Sequence, residues 1–147
     1  PDEFRQDPTW FRTNGERYGR DGCRVPLPWT ADAPAFGFND TGLSWLPQPD
    51  EWAASARDVE ASDPDSTLNL YRRLIALRHE RELGYGSLVW EDAGANAVAF
   101  RRGDLHVVAN LGTEPIELGE GVEFLVRSEP FAGTALPPDT AAWFIRA

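Results

Sequence analysis

The first 65 residues read as one long irregular stretch, and this limits the fold more than any other feature. Prolines recur at 8, 26, 28, 34, 47, 49 and 64, with short Gly and Asp/Asn turns between them. Each proline fixes φ and removes a backbone donor, so the stretch is punctuated too often for a long helix or a central strand. A loop of this length inside an independent compact domain argues against independence. Yet Trp10, Phe11, Tyr18, Trp29, Phe36, Phe38, Trp45 and Trp52 all fall here or just beside its turns, and disordered segments are aromatic-poor. These rings need a body to pack on, and the first half supplies none. One helical turn is expected over 7–12, with Asp7 as cap and Pro8 at its first position.

The densest chemistry in this stretch is Arg20-Asp21-Gly22-Cys23-Arg24-Val25-Pro26-Leu27-Pro28-Trp29. Pro26 and Pro28 bias Val25 and Leu27 towards extended backbone, so the segment is expected to run as a stiff ribbon. Trp29 could anchor that ribbon on an apolar surface. A guanidinium held on it suits bidentate contact to a carboxylate or to sugar hydroxyls. From the residues alone the favoured reading is plainer: an internal knot of Arg20, Asp21 and Arg24 that pins the loop. Cys23 has no histidine within ten residues, so it reads as a small buried packing residue rather than a nucleophile.

Residues 66–81 form the one clear helix. Asp65 or Ser66 can cap it, and Leu70, Tyr71, Leu74, Ile75 and Leu77 lie along an apolar stripe at helical spacing. Arg72, Arg73, Arg78 and Arg81 bias positive charge towards its C-terminal half, and Gly84 is the expected stop. His79 reads as a solvated helix-end side chain. From Ser87 onward the period changes to strands: 87–90, 97–101, 105–110, 115–118, 122–127 and 141–146, separated by Gly, Asp and Pro turns. Short strands at this spacing suggest an antiparallel sandwich or barrel. Val107-Val108-Ala109 is a continuous apolar run and is expected to be a central strand buried on both faces. His106 beside it reads as a strand residue satisfied by its neighbours. No exposed aromatic platform is expected on this half.

The string from Arg20 to Trp29 resembles the Arg-Asp-x-x-Arg-x-Pro-x-x-Trp segment of oligosaccharide-cleaving α-glucosidases in the α-amylase superfamily (glycoside hydrolase family 13). Phe36-Gly37-Phe38 and Trp45-Leu46-Pro47 match the downstream part of the same loop. Asp63-Pro64-Asp65-Ser66 with Tyr71 to Arg78 is similar to the last barrel helix. The second half resembles the family's C-terminal β-domain in its strand pattern. The resemblance implies an α+β piece: the last loop and last helix of a (β/α)8 barrel over residues 1–82, then a small antiparallel β-sandwich domain over 83–147. It also implies that the loop follows the eighth barrel strand, and that the nucleophile Asp, acid/base Glu and stabilising Asp lie upstream. No catalytic residue is therefore assigned in this chain; Glu16, Asp21, Asp32, Asp40 and Glu51 all read as solvated loop carboxylates.

What the resemblance does carry over is Arg20, as the arginine that reaches the glucose pocket and pairs with an upstream carboxylate. Asp21, Arg24 and Trp29 match the motif and are read as supports of the loop. The chain has Gly22, Val25 and Leu27 where the commoner oligo-glucosidase wording has Asn, Thr and Met, which leaves α-1,4 against α-1,6 preference open. The expected function is that of the C-terminal portion of a retaining α-glucosidase acting on terminal α-linked glucose, with the chain alone inactive. Its expected partners are the N-terminal barrel portion and an oligosaccharide. Alternatives are a glucosyl-transferring or isomerising relative, similar to trehalose synthases or sucrose isomerases, and a non-catalytic β-module that binds carbohydrate or protein.

Bulk properties bound the rest. A net charge of −10 argues against a nucleic-acid partner, which needs a basic face. No apolar run approaches membrane-spanning length. With one cysteine and two histidines, neither a disulfide framework nor a metal site is expected, nor is a cofactor. The chain contains no methionine and opens without the blocks of a signal peptide, so it is expected to be a fragment of a longer, cytoplasmic polypeptide.

Overall fold

Proline and glycine placement leaves residues 1–69 with almost no regular structure, while strand periodicity dominates after residue 87. The computed structural model describes residues 1–147 as two compact units, Pro1–Asn69 and Leu70–Ala147.

In the first unit, α1 (Pro8–Arg12) begins as the Asp7-Pro8 pair requires: the Asp7 carboxylate accepts from Thr9 N at 2.8 Å and Pro8 needs no donor there. Short 3-10 turns occupy Asp2–Phe4, Asp21–Cys23, Pro34–Gly37 and Asp50–Ser55. The ribbon around Pro28 is extended, as expected, and is gripped from two sides. Trp29 N and Thr30 N both donate to Phe36 O, at 2.9 and 3.0 Å; Arg57 N and Asp58 N donate to Pro28 O and Trp29 O, at 3.1 and 3.2 Å. To make the first grip, Ala35 and Phe36 adopt left-handed backbone, with φ of 44° and 50°, a conformation that costs L-residues about 1–2 kcal/mol each. The short helix α2 (Arg57–Ser62) was not expected. It has no side-chain cap on its own first turn, and its Asp58 carboxylate instead accepts from Ala31 N at 3.2 Å.

Helix α3 (Thr67–Glu80) starts at Ser66, whose hydroxyl accepts from Asn69 N at 3.2 Å and donates to Glu60 O at 2.6 Å. The expected apolar stripe is only partly covered: Leu70, Leu74 and Leu77 are half-buried, while Tyr71 and Ile75 are exposed. The helix does not stop at Gly84. Glu82 takes the left-handed position (φ 49°), with Leu83 N donating to Arg78 O at 2.9 Å and Glu82 N to His79 O at 3.1 Å. That is the Schellman pattern, which satisfies the last free carbonyls two residues earlier than the glycine suggested.

The second unit holds a five-stranded antiparallel sheet in the order β1-β2-β3-β7-β5 and a two-stranded sheet of β4 and β6. Its strands are β1 (Val89–Glu91), β2 (Ala97–Arg102), β3 (Leu105–Asn110), β4 (Ile116–Glu117), β5 (Val122–Arg127), β6 (Ala135–Leu136) and β7 (Thr140–Arg146). The β3 run is central, as its unbroken apolar pattern requires, with Leu105, Val107 and Val108 buried. The core packs Ala99, Val108, Leu118, Leu136, Ala142 and Phe144, with Phe124 and Phe131 against it. Phe144 is 1 % exposed, and burial of a ring to that degree contributes about 1.5–3 kcal/mol. Asn110, equally buried, donates to Glu114 O and Leu136 O at 2.9 and 3.0 Å and accepts from Gly112 N at 3.0 Å. The end of β3 is thereby tied to β6, a two-residue strand that the alternation pattern does not reveal. His106 is satisfied as expected: it stacks on Phe144 at 5.3 Å, and its Nδ1 lies 2.9 Å from the Glu91 carboxylate. The half is not free of exposed aromatics, however. Trp90, on the edge strand β1, and Tyr85 are 71 % and 84 % exposed.

Candidate active-site loop

Two carboxylates, Asp7 and Asp21, are 4 % and 5 % exposed in a loop that otherwise lies open to solvent. Burying a carboxylate costs several kcal/mol unless it is paired and hydrogen-bonded, so the first question is what each one holds. Asp21 Oδ2 accepts from Gln6 N and Asp7 N, both at 3.1 Å. Asp7 answers across the same gap: Oδ1 accepts from Thr9 N, and Oδ2 accepts from Arg20 N at 3.1 Å. Segments 6–7 and 20–21 are thus zipped by exchanged carboxylate-to-amide bonds. Arg24 completes the knot, with Nη1 3.1 Å from Asp7 Oδ2 and 3.9 Å from Asp21 Oδ1. The second distance is an ion-pair contact beyond hydrogen-bond range, and Asp21 Oδ1 accepts no hydrogen bond.

The knot is therefore Asp7, Asp21 and Arg24. Arg20, expected within it on the residues alone, contributes only its backbone N–H. Its side chain is exposed and its guanidinium makes no hydrogen bond or ion pair within the chain. Gly19 shows how closely the two segments meet. It has φ of +72°, and a Cβ there would stand 2.5 Å from Asp7 Cγ, so no larger residue fits without moving the carboxylate. The approach to the knot is stapled by Trp10 and Tyr18, stacked 5.7 Å apart, with the Arg5 guanidinium 4.1 Å from the Tyr18 ring centre. Trp29, the last motif residue, is half-exposed, and its backbone rather than its ring makes the recorded hydrogen bonds.

Asp7 is held well below the usual carboxylate range, at about 2. The hydrogen bond from the Thr9 backbone is the largest cause, followed by the Thr9 side chain, the Arg20 N–H and the Arg24 charge, with burial opposing them. A group that stays ionised at any working pH cannot serve as a general acid, so its chemistry is structural and electrostatic. Cys23, expected to be buried, is exposed. No three His, Cys, Asp or Glu side chains converge to hold a metal ion. Beside Asp21 runs an open groove of about 420 Å³, walled by Phe4, Val25, Leu46 and Pro47. Asp7 is the component that sequence reading left out of the site, having taken it for a helix cap alone. The available signal was the pairing of two loop arginines with a single nearby carboxylate, Asp21, which left one charge without a partner.

Comparison with known proteins gives this loop a context. Residues 2–86 match the family model of the alpha amylase catalytic domain, and residues 83–143 match a domain of unknown function, DUF3459. The salivary alpha-glucosidase of Anopheles gambiae is 30% identical over 137 residues, covering 81% of this chain and 23% of that protein. The probable alpha-glucosidase of Rhizobium meliloti (strain 1021) is 33% identical over 101 residues, covering 68% of this chain and 18% of that protein. The crystal structure of the alpha-glucosyl transfer enzyme XgtA matches 100% of this chain and 30% of its own, with a TM-score of 0.75 and 30% identity. The chain thus spans 18–23% of the length of these curated relatives.

Proposed function

The chain belongs to the alpha-amylase family, as the end of its catalytic domain followed by a C-terminal β-domain, and from that premise we propose that it completes the glucose pocket of an α-glucosidase. Residues 1–82 are read as the loop and helix that close a (β/α)8 barrel, and 83–147 as the β-domain that shields it. The partner is the N-terminal barrel portion of the same enzyme, which would carry the nucleophile and acid/base carboxylates about 5 Å apart for a retaining mechanism. The substrate is a terminal α-linked glucose of an oligosaccharide, and the location is cytoplasmic; no helix here is long and apolar enough to cross a membrane.

The observation that carries this reading is the state of Arg20. Its backbone is fixed by a buried carboxylate while its guanidinium is left without a partner in an exposed position. An arginine held at its base and free at its head is ready to pair with a carboxylate of another segment and to donate to sugar hydroxyls. Its role is to orient the non-reducing-end glucose so that the attacked carbon faces the nucleophile.

The test is Arg20→Ala in the enzyme that contains this chain, assayed on maltose and on an aryl α-glucoside. Loss of charge-assisted hydrogen bonds of this kind lowers kcat/KM by about 10- to 100-fold; wild-type kinetics would remove Arg20 from the pocket. A second reading, glucosyl transfer in place of hydrolysis, is favoured by the structural likeness to a glucosyl transfer enzyme. It is separated from the first by the ratio of free glucose to transfer product when a sugar acceptor is supplied.

A further inference from the structure

We propose that Asp7 is the positioning residue for Arg20: by holding the Arg20 backbone N–H, its buried carboxylate sets the direction from which the guanidinium leaves the loop. The inference rests on the reading of Arg20 as the glucose-binding arginine.

Arg20 sits in no helix or strand ladder. Its φ of −118° and ψ of 20° lie in the sparsely populated bridge region, so no regular hydrogen-bond pattern fixes its backbone direction. Two bonds do that instead: Arg20 N to Asp7 Oδ2 at 3.1 Å, and Cys23 N to Arg20 O at 3.0 Å. The second closes a local 3-10 turn. Only the first ties Arg20 to a distant part of the chain, 13 residues away. Asp7 is itself immobilised from three further sides. Thr9 N and Arg24 Nη1 hold its oxygens, and its own N–H is held by Asp21. Gly19 lies against its Cγ with no space for a Cβ. The carboxylate is thus a rigid peg, and the residue hung on it is the one whose head is free. Displacement of a binding group by about 1 Å can cost about 100-fold in rate, so an error at the base of a long side chain matters at its tip.

The consequence is an energetic coupling between positions 7 and 20 that a purely structural Asp7 lacks. Two substitutions isolate it. Asp7→Asn keeps one oxygen for Thr9 N but places an NH2 group where Arg20 N–H needs an acceptor. Asp7→Ser keeps the helix cap but is too short to reach Arg20 as well. Each is made in the enzyme containing this chain, alone and with Arg20→Ala, and assayed on p-nitrophenyl α-D-glucopyranoside.

The expected result is a fall in kcat/KM of about 10-fold for each single Asp7 variant, expressed chiefly in KM, and less than about 2-fold when Arg20 is already Ala. A fall in kcat at unchanged KM, of equal size in both backgrounds, would mean that Asp7 only sustains the folded fraction, and overturns the proposal. So does loss of folded protein in both variants, which assigns Asp7 to folding alone. If Arg20→Ala itself leaves kcat/KM unchanged, the glucose-pocket reading fails and the inference goes with it; if Arg20→Ala is severe and Asp7 merely additive, only the inference fails.

Discussion

The Asp7 carboxyl titrates at about 2, against an ordinary 3.8, chiefly because the Thr9 amide holds its ionised form. Its folded pKa lies below its unfolded one, so the unfolded chain takes up the proton first as pH falls. The stabilisation Asp7 gives is therefore complete above about pH 5 and is lost as pH drops through about 4 to 2. Asp7→Asn, which cannot ionise, is expected to unfold at a lower temperature than the wild type near neutrality, with the gap closing across that window. A gap that stays constant down to pH 2 would mean that the charge of Asp7 does not matter, only its shape. The same residue shows what could be read in advance. Its capping role was legible because a cap is local: Asp7, Pro8 and Thr9 are neighbours. Its hold on Arg20 and Arg24 was not, because those bonds close gaps of 13 and 17 residues through turns without periodic pattern, and spacing carries no record of such closure. The motif arginines were legible as a pair and their division of labour was not. Arg24 went to the knot and Arg20 was left free.

At the scale of elements, legibility follows periodicity. The α3 helix and the five longer strands of the second unit were visible because burial repeats along them. The two-residue β6 and the six-residue α2 are too short to show a period, and both are defined by partners elsewhere: β6 by β4 and Asn110, α2 by the ribbon at Pro28 to Ala31. The end of α3 failed in a more instructive way. Glycine is the common residue at the left-handed position after a helix, and Gly84 was present, but the chain turns at Glu82 instead. A non-glycine residue there bears a steric cost of about 1–2 kcal/mol. Glu82→Gly is accordingly expected to raise stability by about 1 kcal/mol, measured by thermal unfolding, and Glu82→Ala to give no such gain, because alanine meets the same clash. Equal effects from the two would show that the Glu82 side chain, and not the backbone, decides the stability of this turn.

For the whole molecule, the two units rest on different physics. Leu105, Val107, Val108, Leu136, Phe144 and their neighbours give residues 70–147 a continuous apolar core, whereas residues 1–69 bury only Leu46 and Ala56 among apolar side chains. In that first unit Phe11, Leu27, Leu43 and Trp45 are each more than half exposed, and order comes from buried carboxylates and backbone clamps. Hydrogen bonds of this kind contribute about 0.5–1.5 kcal/mol each, somewhat more when charged, and they do not replace a core. Local stability should follow that division. In hydrogen exchange on the isolated chain, amides of β3 and β7 are expected to be slowest, by at least about 100-fold over those of the clamped loop at Trp29, Thr30 and Arg20. If these loop amides are as protected as the sheet, the first 69 residues hold themselves without an external body, and their aromatic rings need no barrel to pack on. If they are unprotected alone and become protected when the preceding barrel portion is supplied, the exposed rings are the surface by which this loop is ordered.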